Sequence, residues 1–379
     1  MMPNRIPGVR LVGHPFMPIG MGEHLRNTWR ALNSVAVFPK LTDVYKLVSP
    51  DPDQIAEFGA AMTGTTAEIN VFHINGNEVE QVLAHLAYRE TWQGYNIAFP
   101  MWELPRYPLD WARQLDRFDE IWAPTAFVRD ALLTACEKPV VHLTQACEVM
   151  LSQFLGRRYF GIPENDYVFL FMYDLRSFTT RKNPQAVVEA FRRLLAARPF
   201  SRVQLVIKVN GVDSDAQAFL RLEDTIADLA GHVTLLKHVM SDNEVKNLVR
   251  CSDCFVSLHR SEGYGLGIAE AMVLGKPVIA TAFSGNMDFM QPEVSFAVDH
   301  ELVAVNEGDY PCHEGQFWAD PDLDQAVHFM RQLIDDPQSG RARGIVARRH
   351  MRSEFSYRAS GVRYLNRLRD VAQIRRKST

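Results

Sequence analysis

The chain has 379 residues, more than one ordinary hydrophobic core holds, so two domains are expected. With 47% apolar and 23% charged residues and no long polar tract, it is globular rather than disordered. Net charge is only −4, yet 340–379 holds eleven Arg and one Lys against Glu354 and Asp370, which is +10 there and leaves −14 elsewhere.

Val9–Gly13 reads as a short strand. Pro18-Ile-Gly20-Met-Gly22-Glu23 follows it and leads into an amphipathic helix over about 24–33. A buried strand over 69–74 ends at Asn75-Gly76-Asn77; His73, at its end, reads as a satisfied core histidine. Strands at 95–99 and 120–123 repeat the pattern, each followed by a Pro-containing loop and a helical segment. The composition shifts at 157–166, where an interdomain linker is placed. Strands at 167–172, 203–207, 233–236, 254–258 and 277–280 form a second alternating set, and 323–334 and 357–377 carry helical periodicity. Strands alternating with helices on this scale predict parallel, doubly wound α/β sheets.

No apolar run reaches the roughly 18 residues of a membrane span, and the opening Met-Met-Pro-Asn-Arg-Ile-Pro-Gly has no apolar h-region. The five cysteines form no disulfide framework, and their odd number fits a reducing compartment. A cytoplasmic protein is therefore expected. Cys251-x-x-Cys254 lacks further ligands at zinc spacing, which favours structural cysteines. The basic tail suits either a peripheral contact with an anionic membrane face or a set of solvated helix faces. With only Phe355, Tyr357 and Tyr364 among its charges it offers few stacking platforms, so nucleic acid is not the expected partner.

The most informative stretch is Arg260-Ser-Glu262-Gly263-Tyr264-Gly265-Leu266-Gly267-Ile-Ala-Glu270. Two carboxylates straddle a glycine turn that runs from a strand into a helix, the context in which open parallel sheets bind nucleotides. Glycines let the backbone approach a bulky ligand, and a helix beginning near Leu266 presents unpaired N–H groups to a phosphate. The competing reading is a plain βα turn whose glutamate only complements the helix dipole.

A second constellation is Asp174-Leu-Arg176-Ser-Phe-Thr-Thr-Arg-Lys182-Asn183-Pro184. Asn183 as N-cap and Pro184 as first helical residue predict a helix start there. Arg176 and Lys182 then lie in a loop at the same sheet edge as Glu262. Gly20 and Gly22 form a third, but Leu25 stands where a dinucleotide fingerprint needs glycine. Asp51/Asp53, Asp213/Asp215, Asp320/Asp322 and Asp322/Asp324 each satisfy D-x-D, a pattern that arises readily by chance among 45 acidic residues. No metal site is expected.

These motifs resemble the retaining GT-B glycosyltransferases, family 4 in particular (glycosyl transferases group 1), of the bacterial surface-polysaccharide type. The E-x7-E glutamates, the Arg-x5-Lys pair, Trp102-Glu103-Leu-Pro and Ser284-Gly-Asn286 carry the resemblance. It implies two Rossmann-like domains facing across a cleft: 1–158 on the acceptor side, 159–359 for the nucleotide sugar, and a last helix near 360–379 packing back on the first. It implies that Glu262 orients the sugar, Glu270 binds the ribose, and Arg176 and Lys182 neutralise the diphosphate. Gly20, Gly22, Gly263, Tyr264, Gly265 and Leu266 would line the donor, with Glu103 on the acceptor side, where many relatives place a histidine. The implied donor is a GDP- or UDP-linked hexose, with mannose favoured, and the acceptor a glycan or lipid-linked glycan. No cofactor and no metal is implied. A sugar-nucleotide epimerase or hydrolase, or an inactive binding subunit, are the alternatives.

Overall fold

A computed structural model describes residues 7–44, 51–86, 92–199 and 201–378. The opening residues 1–6, part of the stretch read above for a leader, lie outside these. The chain divides into two compact units: Met1–Glu148 with Ser353–Thr379, and Val149–Arg352. Among the described residues no helix is long and apolar enough to cross a membrane.

In unit 1 the strands are β1 (Val9–Gly13), β2 (Lys40–Asp43), β3 (Ile69–Phe72), β4 (Tyr95–Ala98), β5 (Glu120–Ala123) and β6 (Val140–His142). They form one parallel sheet in the order β2-β1-β3-β4-β5-β6. Every residue of β1, β3 and β5 is buried, as expected for strands covered on both faces. The sheet changes winding direction between β1 and β3, so the loops after these strands part on either side of a switch point.

The first helix spans Gly20–Asn33, one turn earlier than the periodicity suggested, because the Gly-Met-Gly-Glu turn itself is helical. The chain's last helix, Tyr357–Ser378, belongs to this unit and buries Tyr364, Leu368 and Val371. Tyr364 stacks on Trp122 at 5.9 Å and donates to the Thr144 carbonyl at 2.9 Å.

In unit 2 the strands are β7 (Tyr167–Asp174), β8 (Val203–Asn210), β9 (Val233–Leu236), β10 (Cys254–Ser257), β11 (Val278–Thr281) and β12 (Phe296–Val298). Their order is β12-β11-β10-β7-β8-β9, again all parallel. Here the switch point lies between β7 and β10. A small antiparallel pair, β13 (His300–Ala304) and β14 (Phe317–Pro321), follows.

Residues 157–166, read from sequence as a linker, lie inside unit 2. Arg157 holds this segment: its guanidinium donates to the carbonyls of Glu164, Asp166 and Cys251 and pairs with Asp253 at 2.5 Å. The segment looked like a linker because it is polar, but its polar groups are satisfied within one domain. The helix Pro337–Glu354 carries no apolar stripe strong enough to announce it, and sequence reasoning passed over it.

Candidate functional site

At the switch point of unit 2, β7 lies next to β10, so the loops that leave their carboxyl ends become neighbours. The first of these loops bends sharply. Phe178 and Asn183 take left-handed φ of 62° and 55°, bracketing a single turn, Thr179–Lys182. Asn183 occupies the N-cap position before the helix Pro184–Ala197, as its sequence predicts. Its side chain does not cap, however; it donates instead to the Leu258 carbonyl at 3.0 Å and so ties the loop to the end of β10.

This geometry delivers Lys182 to Glu262. Lys182 Nζ donates to Glu262 Oε1 at 2.5 Å, and Arg181 Nη1 lies 3.2 Å from Glu262 Oε2. Arg181 is itself buried, bonded to the Ser261 carbonyl at 2.8 Å and placed over the Tyr310 ring. Burial alone would raise the Glu262 carboxyl, but Lys182 and then Arg181 outweigh it and hold it at about 2. The carboxylate is therefore ionised at any physiological pH. Sequence reading singled out Lys182 and overlooked Arg181, although a third cation in the same loop was the signal available.

Arg176 is oriented differently. Its guanidinium grips Asp174 with two bonds, Nε to Oδ1 at 3.0 Å and Nη2 to Oδ2 at 2.7 Å, and about half of its side chain is exposed. Both predicted diphosphate ligands are thus paired with carboxylates here, Lys182 with Glu262 and Arg176 with Asp174. Lys208, at the end of β8, donates to Asn210 Oδ1 at 2.5 Å; burial brings its ammonium down to about 8, against a smaller opposing pull from Asp174.

The backbone at Glu262 is fixed from a third strand. Ser284, after β11, accepts from the Glu262 N–H at 2.7 Å, and Gly285 N–H donates to the Glu262 carbonyl at 2.8 Å. Ser284 pays with φ 74° and ψ −149°, a region natural to glycine, at about 1–3 kcal/mol. A Cβ at position 285 would stand 2.1 Å from the Gly263 oxygen, so only glycine fits there. Asn286 donates to the Thr281 carbonyl, which turns its Oδ1 toward His259 Nε2 at 3.0 Å. His259 is fully buried behind Glu262, and burial lowers its pKa, keeping it neutral.

The glycine turn then opens the helix Leu266–Val273. Gly265 is its N-cap with φ 89° and, lacking a side chain, makes no cap bond of its own. Its first N–H groups point toward this sheet edge, as an anion site requires. Glu270, buried, lies in the second turn of that helix. Tyr264 is buried with its ring 5.2 Å from Phe289.

In unit 1, Gly22 is required by packing: a Cβ there would stand 2.3 Å from the Met17 oxygen. Gly20 has no atom within 4 Å of such a Cβ, so packing places no demand on it. Trp102 is a core residue, 2% exposed among Tyr107 and Trp111, while Glu103 is half-buried in the same loop. His73 is buried as expected, but among the described residues neither of its ring nitrogens has a hydrogen-bond partner, and the same holds for His24, 4.6 Å away.

The D-x-D pairs have a structural explanation. Asp51, Asp215 and Asp322 are helix N-caps, accepting from Asp53, Ala218 and Asp324 N–H groups, and Asp320 pairs with Arg260 at 2.9 Å. Cys251 and Cys254 are buried, and burial raises both thiols.

Two doubly wound parallel-sheet units are the architecture of GT-B glycosyltransferases. Among solved structures, the complex of Anabaena Alr3699/HepE with UDP and glucose matches with a TM-score of 0.70 over 96% of this chain and 99% of that one, at 12% identity. Residues 155–306, inside unit 2, match the family model of glycosyl transferases group 1, and the chain as a whole has the GT-B fold. Over 196 residues it is 26% identical to the GDP-mannose-dependent monoacylated alpha-(1-6)-phosphatidylinositol monomannoside mannosyltransferase of Corynebacterium glutamicum, 49% of this chain and 43% of that protein. Over 225 residues it is 25% identical to the D-inositol 3-phosphate glycosyltransferase of Corynebacterium aurimucosum, 58% of this chain and 47% of that one. The chain spans about half the length of the curated relatives it matches.

Proposed function

We propose that this protein is a retaining glycosyltransferase that moves a hexose from a nucleoside diphosphate sugar to a glycan or lipid-linked acceptor. The observation that carries the reading is Glu262 held ionised between Lys182 and Arg181, at the switch point of unit 2 and beside the glycine-led helix start at Gly265. Breaking the glycosyl bond loads negative charge onto a departing diphosphate. Cations and helix N–H groups already in place stabilise that charge without reorganising.

Lys182 and Arg176 take the diphosphate, and Arg181 remains with Glu262 to hold it anionic. Glu262 then accepts hydrogen bonds from sugar hydroxyls, and Glu270 from the ribose. Lys182 and Arg176, with the helix N–H groups, supply the charge that a divalent ion would otherwise bring, so turnover is metal-independent in this proposal. Glu103, Gly20 and Gly22 are assigned to unit 1's share of the reaction. The name of the Corynebacterium glutamicum relative supports mannose from GDP-mannose as the first donor to try, and a cytoplasmic role in polysaccharide assembly fits a nucleotide-sugar donor.

Calorimetry with GDP, UDP and their sugars, followed by transfer assays with and without EDTA, tests this directly. Donor consumed without an acceptor would indicate a hydrolase, and an epimerised donor an epimerase. Binding without turnover across the acceptor panel would leave a binding subunit.

A further inference from the structure

The basic segment that ends the chain is divided between the two units, and its two helices use their arginines differently. In the helix Tyr357–Ser378, Arg363 bonds Glu354 and Thr144, Arg367 pairs with Glu120, and Arg375 donates to the Glu68 carbonyl. These charges are engaged inside unit 1. The helix Pro337–Glu354 is different.

Its inner face is Gly340, Gly344, Ala347 and Met351, spaced at helical period. The fit there is close: a Cβ at Gly344 would stand 2.1 Å from the Gly275 oxygen, and one at Gly340 would stand 2.4 Å from Leu333. Arg343 is drawn sideways over the Phe296 ring at 4.2 Å. With the helix seated so tightly, the direction of its outer face is fixed.

That outer face carries Arg348, Arg349 and Arg352, all exposed, and none of the three forms an ion pair among the described residues. Beside them stand Ile345 and Val346, 51% and 44% exposed. No acidic residue occurs on the helix before Glu354, no Phe, Tyr or Trp occurs on it, and the His350 ring is partly buried. Unpaired arginines flanking bare aliphatic side chains on a rigid helix match an interface with two layers: anionic groups outside and hydrocarbon just beneath. A nucleic acid would supply the anions but would leave Ile345 and Val346 without a partner and find no Phe, Tyr or Trp to stack on.

We propose that the outer face of Pro337–Glu354 docks unit 2 on an anionic lipid surface, with arginines at the head groups and Ile345 at the acyl boundary. This does not depend on the transfer reading, since none of these side chains belongs to the candidate site.

The full-length protein is sedimented with vesicles of phosphatidylcholine alone or mixed with phosphatidylglycerol. Binding is expected only to the mixed vesicles, and is largely lost on moving from about 0.1 M to about 0.5 M salt. Arg348→Ser/Arg352→Ser should lower the bound-to-free ratio by about 30-fold, at roughly fivefold per arginine. Arg358→Ser/Arg369→Ser, exposed changes on the last helix, should alter it by less than about twofold. Equal binding to neutral vesicles, an unaffected Arg348/Arg352 variant, or an equal loss from the last-helix variant would overturn the assignment. Displacement of the protein from vesicles by a single-stranded oligonucleotide, with Ile345→Ser causing no loss, would mark a general polyanion binder and overturn it as well. Unchanged melting of each variant excludes misfolding as the cause.

Discussion

Glu262 is the residue on which the candidate site turns, and its environment makes two predictions. Removing either member of the Lys182–Glu262 pair strips the site of a fixed charge, so Lys182→Met and Glu262→Gln should each lower kcat/KM by about 10² with folding retained. Because the two groups touch, the double variant should lose far less than the product of the two effects; a multiplicative loss would show them acting separately. The second prediction concerns pH. A carboxyl held at about 2 when folded contributes stability above its unfolded value of about 4.5, and loses it as pH falls from there toward 2, by about 3 kcal/mol in all.

The buried histidines act in a higher window. Burial lowers His24 to about 3, and lowers His73 in the same direction. Each must stay neutral while folded but takes a proton from about pH 6.5 downward once unfolded. Stability of unit 1 should therefore fall as pH drops below 6.5, at up to about 1.4 kcal/mol per pH unit for each histidine. His24→Leu should flatten that slope in urea titrations run between pH 6.5 and 4; an unchanged slope would place the liability elsewhere.

At the scale of elements, the last helix is the test case. Glu120 lies buried in β5 and accepts from Trp122 Nε1 at 2.6 Å, from Arg367 Nε at 2.9 Å and from Tyr95 at 3.3 Å. Arg367→Met leaves that carboxylate without its cation inside the fold, which should cost about 3 kcal/mol, the low end for a buried pair because Arg367 is partly exposed. Glu120→Leu/Arg367→Met should recover part of the loss in thermal or urea unfolding. A double variant as unstable as the single one would show that the packing, not the stranded charge, sets the cost. Shape is equally strict nearby: a Cβ at Gly361 would stand 2.2 Å from the Ala31 oxygen, so Gly361→Val should lift the helix from Gly20–Asn33.

For the molecule as a whole, the units can be observed separately. Trp29, Trp92, Trp102, Trp111 and Trp122 lie in unit 1, and Trp318 lies in unit 2. A nucleoside diphosphate present at about 100 times its Kd should stabilise the unit that binds it by about 2.7 kcal/mol. In a variant keeping only Trp318, that shift should appear in full. A shift confined to the unit 1 tryptophans would move the nucleotide away from Lys182 and Glu262.

Read one residue after another, the chain discloses whatever depends on near neighbours. Apolar runs with glycine punctuation mark the strands around Val9, Glu120, Val233 and Cys254, and Pro184 marks a helix start, because backbone bonding and capping are settled within a few positions. The motif glutamates and Lys182 were visible for the same reason. What only tertiary structure decided is who pairs with whom. Arg181 reaches Glu262 across 81 positions because β10 inserts beside β7, and Arg176 turns to Asp174 instead. Arg367 and Arg363 of the last helix are taken up by Glu120 and Glu354, while Arg348, Arg349 and Arg352 of Pro337–Glu354 stay exposed. Ion pairs and burial are set by the order in which strands assemble, and that order arises from long-range packing that no local pattern encodes.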